Sequence, residues 1–131
     1  MISQEQLPMV AMPSMNDMHL EEMLFINALH EAVKSRDFNT IVEKLETLLE
    51  HTQTHFSQEE QMMEDAGFKS FYEHKGEHDR HLHELRHLIK YFHEHRDPHA
   101  IAAYVEGNLE SWTIHHIKTM DTEMASFLQG Q

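Results

Sequence analysis

The chain is expected to be all-α: an up-down-up-down four-helix bundle with an irregular N-terminal arm. Three observations predict this: four successive runs with apolar residues at helical spacing, short connections rich in Gly, Pro, Asp and Ser, and no alternating strand-like segment. Connections this short favour antiparallel neighbours, which gives the up-down-up-down order. At 131 residues the chain is one domain, large enough to bury a core.

Residues 1–16 read as the arm, with two of the three prolines, no helical period and scattered methionines. The bundle then spans 17–131. Its first helix starts at Asp17 and carries Leu20, Met23, Leu24, Ile26, Asn27, Leu29 and Val33 to a polar break at Ser35-Arg36-Asp37. A Thr40-x-x-Glu43 capping box is expected to open the second helix, which runs through Ile41, Leu45, Leu48, Leu49 and His55 to Met62 and Met63 and closes at Gly67. Ser70-x-x-Glu73 is a second such box, and Leu82, Leu85, Leu88, Ile89 and Phe92 carry the third helix to His93-Glu94-His95. Asp97-Pro98 supplies an N-cap and first-turn proline for the fourth, which continues through Ile101, Val105, Leu109, Trp112 and Ile117 to about Phe127.

Composition narrows the chemistry. With no cysteine, disulfides, iron-sulfur clusters, thiolate zinc sites and cysteine nucleophiles are all excluded, so any metal is held by nitrogen and oxygen. Ten Lys+Arg against 23 Asp+Glu give a net charge of −13, which argues against nucleic acid or anionic membrane as partners. No basic leader and no membrane-length apolar run are visible, so a soluble, cytoplasmic protein without a membrane anchor is expected.

Five histidines and two carboxylates fall at ligand spacing: His19, His55-x3-Glu59, His74-x3-His78 and His116-x4-Asp121. Residues four apart on a helix project from one face about a turn apart. His19 lies early in the first helix, His55 and Glu59 late in the second, His74 and His78 early in the third, His116 and Asp121 late in the fourth. In an up-down-up-down bundle those regions share one end. Donor counting then makes the site asymmetric. If Glu59 and Asp121 bridge two metals of about six ligands each, the histidines divide three and two. One metal is closed, and the other keeps a vacancy for a small molecule. Nitrogen and carboxylate ligands with an open position suit iron, and open iron suggests dioxygen.

These pieces resemble the hemerythrin family, most closely its single-domain bacterial members. The resemblance covers nearly the whole chain and rests on Asp17-Met18-His19 with Ile26-Asn27, His55-Phe56-x-x-Glu59-Glu60, His74-x3-His78, and Trp112-x3-His116-Ile117-x3-Asp121. Each piece alone is weak; all in order at these spacings are specific. A family member, myohemerythrin, is itself an up-down-up-down bundle, so the resemblance and the fold expectation agree. The resemblance implies two non-haem iron ions with a bridging oxo or hydroxo group, and reversible binding of dioxygen for storage or delivery without catalysis. It implies His74, His78 and His116 on the closed iron, His19 and His55 on the open one, and Glu59 and Asp121 as bridges. It further implies an apolar oxygen pocket of Phe56, Trp112 and Ile117, whose dry walls would limit proton-assisted oxidation of the irons.

The chain departs from the family pattern at Glu22, where a leucine is expected three residues after His19. Glu22 either turns to solvent or sits in the pocket beside the open iron. His116 and Asp121 stand about 140° apart on a regular helix, so a π-type bulge near residues 116–121 is expected to bring them to one face. The other nine histidines (30, 51, 81, 83, 87, 93, 95, 99 and 115) are read as having no metal role, although His51/His55 and His83/His87 also have i,i+4 spacing. His115 is set aside because it points about 100° away from His116. Gly76 is either a close helix contact or a tolerated glycine, and the early methionines are read as packing the arm over the bundle. Two further function classes share the pattern: a sensor of oxygen, nitric oxide or redox state acting through a partner, and a di-iron oxidase or peroxidase. A ferritin-like carboxylate site needs two Glu-x-x-His motifs, and only Glu84-x-x-His87 occurs.

Overall fold

A computed structural model describes residues 1–130. Four long helices run in sequence: α1 (Pro13–Ser35), α2 (Phe38–Ala66), α3 (Phe71–His95) and α4 (residues 98–129). The last is one helix interrupted by two π segments, Val105–Leu109 and Ile117–Asp121. Each helix packs on the next, and α4 closes the square against α1. The expected all-α bundle is thus the observed architecture, and no strand occurs among the described residues. Gln131, the final residue of the expected bundle range, lies outside the described residues.

The helix ends differ from the sequence reading in instructive ways. α1 starts at Pro13 rather than Asp17, because a proline at the first helical position loses no hydrogen bond there. α2 is capped by Asp37, not Thr40: the Asp37 carboxylate accepts from the Thr40 backbone N–H at 3.0 Å and from its hydroxyl at 2.6 Å. Ser70 precedes α3, but its hydroxyl caps nothing and instead reaches Glu123 at 3.4 Å, so that capping box does not form. Asp97 and Pro98 act as expected, with Asp97 accepting from His99 N–H at 3.0 Å. Gly67 ends α2 at φ +66°, the left-handed conformation that glycine adopts without strain.

The arm is tied down. Asn27 brackets Ile2, donating to its carbonyl at 2.8 Å and accepting its N–H at 2.9 Å. Asn16 does the same to Val10, with both bonds at 2.9 Å. These clasps bring Ile2 and Val10 into the core.

The core has two apolar layers. The larger contains Ile26 and Leu29 of α1, Ile41, Leu45 and Leu48 of α2, Leu85 and Phe92 of α3, and Ile101, Val105 and Leu109 of α4. The smaller contains Val10, Met15, Met63, Phe68, Ile117 and Met124. On α1 and α2 the predicted ligands fall between these layers, and on α3 and α4 they lie at the same end of the larger one. They form a polar slab inside the bundle, roofed by the smaller layer, where water cannot satisfy them.

Candidate metal centre

All seven predicted ligands converge in that slab, each no more than 5% exposed. α1 presents His19 between Met15 and Met23 of the two apolar layers, and α2 presents His55 and Glu59 on one face. α3 contributes His74 and His78 from its first two turns. α4 brings His116 and Asp121 together through the π segment Ile117–Asp121, as their five-residue spacing required. Hydroxyls repair the disturbed hydrogen-bond ladder there: Thr122 donates to the Ile117 carbonyl at 2.7 Å and Thr119 to the His115 carbonyl at 2.8 Å. His115 is exposed.

The two carboxylates divide the imidazoles into two sets. Glu59 Oε1 faces His78 Nε2 at 3.2 Å and His74 Nε2 at 3.7 Å, while Oε2 faces His55 Nε2 at 2.7 Å and His19 Nε2 at 3.7 Å. Asp121 repeats the division: Oδ1 lies 3.0 Å from His74 and 3.3 Å from His116, and Oδ2 lies 3.0 Å from His19. One oxygen of each carboxylate thus belongs with His74, His78 and His116, and the other with His19 and His55. The donors form two overlapping groups, each tight enough to hold a cation and sharing Glu59.

The electrostatics fit that reading. Burial works to raise the Glu59 and Asp121 carboxyls, yet the surrounding imidazoles hold both below the ordinary carboxylate range. Burial would depress His19 and His55, yet Asp121 and Glu59 raise His19, and Glu59 and Glu22 raise His55 well above the usual value. The Nε2 atoms of His19, His74, His78 and His116, with Glu59 Oε1 and Asp121 Oδ1, are buried without a hydrogen-bond partner. Orphaned buried donors of this kind are costly in a dry interior, and a bound cation satisfies them together.

Aromatic rings wall the centre. Phe56 stacks on His78 with centroids 3.8 Å apart and planes 4° apart, and Trp112 stacks on His116 at 4.6 Å and 11°. Phe56, Trp112 and Ile117 line one cavity of about 10 Å³, together with His19, His55 and Glu22. That is room for about one water-sized guest. A larger apolar cavity of about 400 Å³, lined by Met15, Met18 and Met62, reaches His55 and Glu59 from the side of the α1 N-terminus.

Glu22 does not turn to solvent. It is 6% exposed and accepts hydrogen bonds from the Thr52 hydroxyl at 2.6 Å and from His51 Nδ1, with His55 Nδ1 3.9 Å away. Burial works to raise its carboxyl, but bonding to His51, His55 and Thr52 prevails and lowers it to about 2.

Sequence reasoning missed three supporting residues. Glu60 accepts from His78 Nδ1 at 2.9 Å, an arrangement that orients a ligating imidazole. Half-buried His51 holds Glu22. His81, set aside as a histidine without a metal role, is 3% exposed and stacks on Trp112 at 3.8 Å and 3°. The helical spacing of His74, His78 and His81 at i, i+4 and i+7 was the available signal for His81, the i,i+4 spacing to His55 was the signal for His51, and Glu60 stood in the family motif beside Glu59. Gly76 makes no close helix contact, since nothing lies within 4 Å of where its Cβ would be.

Comparison with known proteins agrees with the geometry. Residues 13–128 match the family described as the hemerythrin HHE cation binding domain. A bacteriohemerythrin of Pseudomonas paraeruginosa is 31% identical over 108 residues, covering 81% of this chain and 67% of that protein. Bacteriohemerythrins of Aquifex aeolicus, 23% identical over 114 residues and 87% of each chain, and of Methylococcus capsulatus, 28% identical over 112 residues covering 81% of this chain and 79% of the other, are also similar. A polar slab of orphaned histidines and carboxylates inside a four-helix bundle, within a sequence matching that domain almost end to end, identifies this chain as a metal-binding member of the hemerythrin family.

Proposed function

We propose that the centre holds two iron ions and that the chain binds dioxygen reversibly, as a non-catalytic store or carrier in the cytoplasm. The observation that carries this reading is the three-to-two division of imidazoles across the oxygens of two carboxylates, with a water-sized cavity that touches both His19 and His55 and, of the other three imidazoles, only His116. In this reading His74, His78 and His116 ligate one ion, His19 and His55 the other, and Glu59 and Asp121 bridge. Ferrous ions so held supply electrons and one open position for dioxygen. Phe56, Trp112 and Ile117 keep that position dry, and Glu60 fixes the orientation of His78. Glu22 is the one acidic group in that wall besides the ligand Asp121, and there it sets how readily the centre oxidises.

The test is to load the chain with iron, reduce it anaerobically, admit air and then degas while following the visible spectrum. A charge-transfer band that appears and disappears reversibly, at about two irons per chain, is expected from ligand counting. Failure to hold two irons overturns the site assignment. One-way oxidation with turnover of a substrate identifies an oxidase or peroxidase instead. For Glu22, the autoxidation rate of Glu22→Leu is compared with wild type, and an unchanged rate removes its role.

A further inference from the structure

The buried centre leaves one closely packed histidine pair on α3 unused. His83 and His87 are both exposed, and their ring centroids lie 4.3 Å apart with planes inclined at 53°. Four residues separate them by about 40° around the helix and about 6 Å along it, so both side chains rise from one face. Leu85 between them is fully buried, which fixes that face outward. His83 is five residues beyond His78, about 7.5 Å further along the axis, and has no part in the polar slab.

The segment reads His83-Glu84-Leu85-Arg86-His87. This is the H-E-x-x-H spacing, in which a helix offers two imidazoles one turn apart to a zinc ion. Rings already side by side can aim one nitrogen each at an ion about 2.0–2.1 Å away, with little rearrangement. The pair lines a shallow depression with Glu84, Leu88, Lys90, Tyr91, Glu94 and Tyr104. Its lining carries two carboxylates against the single ammonium of Lys90, on a chain of net charge −13, so a cation is tolerated there.

We infer that His83 and His87 form a second, solvent-facing site for a borderline divalent cation such as Zn²⁺, with water completing the coordination. Imidazole ligands select this class over Mg²⁺ or Ca²⁺. The site binds and does not hydrolyse. In hydrolytic versions of the motif the glutamate is the general base, but here Glu84 is engaged by Arg80 Nη1 at 3.1 Å. Catalytic zinc also needs a third protein ligand, and among the described residues such groups of three occur only in the buried centre.

Zn²⁺ titration calorimetry on the full chain and on the His83→Ala/His87→Ala variant tests this. Wild type is expected to take up one equivalent more than the double variant, and each single substitution to weaken that equivalent about tenfold or more. Both residues are exposed, so far-UV circular dichroism and occupancy of the buried centre stay unchanged. The His93→Ala/His95→Ala variant, which alters two other exposed histidines of the same helix, is expected to match wild type. Equal uptake by wild type and the His83/His87 variant overturns the site. So does an equal loss in the His93/His95 variant, which would reduce the effect to general histidine content. Neither result depends on whether the buried centre carries iron.

Discussion

His81 makes the bundle acid-sensitive in a way that one substitution removes. Its ring is 3% exposed, stacked on Trp112 and edge-on to Phe56, and burial above all pushes its pKa from 6.5 down to about 4. Nearby Glu22 opposes that shift, while His116, Arg80 and His78 add to it. Above pH 6.5 the imidazole is neutral in both folded and unfolded chains, and stability is unaffected. Between pH 6.5 and 4 the unfolded chain takes up a proton that the folded chain refuses, so stability is lost as pH falls. The full span of 2.5 pH units corresponds to about 3.5 kcal/mol at about 1.4 kcal/mol per unit. That is a large part of the roughly 5–15 kcal/mol that holds a domain together. The assay is urea unfolding of wild type and His81→Phe at several pH values from 7 to 4, since phenylalanine keeps a flat ring against Trp112. Protonation of the exposed histidines far from His81 acts on both proteins alike and drops out of the difference. Wild type is expected to lose about 1.4 kcal/mol more than His81→Phe for each pH unit below 6.5. Parallel stability curves would refute the reasoning.

Four other outcomes follow from named contacts. Glu60→Ala should loosen metal in the buried centre about 10–100-fold by releasing His78 Nδ1, and an unchanged metal-release rate counts against that orienting role. Gly76→Ala should stabilise the protein by about 0.5–1 kcal/mol, because the site is exposed, helical and open around the new Cβ; a lower melting temperature would contradict this. Asn27→Ala breaks both bonds to Ile2, costing about 1–3 kcal/mol and exposing the arm to limited proteolysis, whereas an unchanged cleavage pattern would show the arm is held otherwise. Removing metal with a chelator should lower the melting temperature, and readdition at a hundredfold excess over Kd should restore about 2.7 kcal/mol. A melting temperature indifferent to metal would mean that the orphaned donors are satisfied by something else.

Much of this was legible in the chain because helical periodicity and ligand spacing report on the same geometry. The i,i+4 pairs on α2 and α3 had to face inward once their apolar neighbours did. The five-residue gap between His116 and Asp121 demanded a π segment, and one is present. The other π segment, Val105–Leu109, had no comparable signal, since nothing about Glu106-Gly107-Asn108 requires two residues to converge. Helix starts were read less well, because several residues in a row can cap: Thr40 looked like the cap of α2 until Asp37 was seen to accept its N–H.

What remained hidden was decided across helices. For Glu22 the local window left both a solvent-facing and a pocket position open; its burial is set by Thr52 and His51 of α2, some thirty residues away. His81 is buried because Trp112 of α4 lies against it, and Glu60 matters because α3 places His78 beside it. The sequence by itself determined the bundle, the identity of seven donors and their inward direction, because periods of three and four residues are properties of a single helix. Only the tertiary structure decided which carboxylate oxygen meets which imidazole, and which apolar layers seal them from water. Those distances depend on how four helices pack, and no helix carries that information alone.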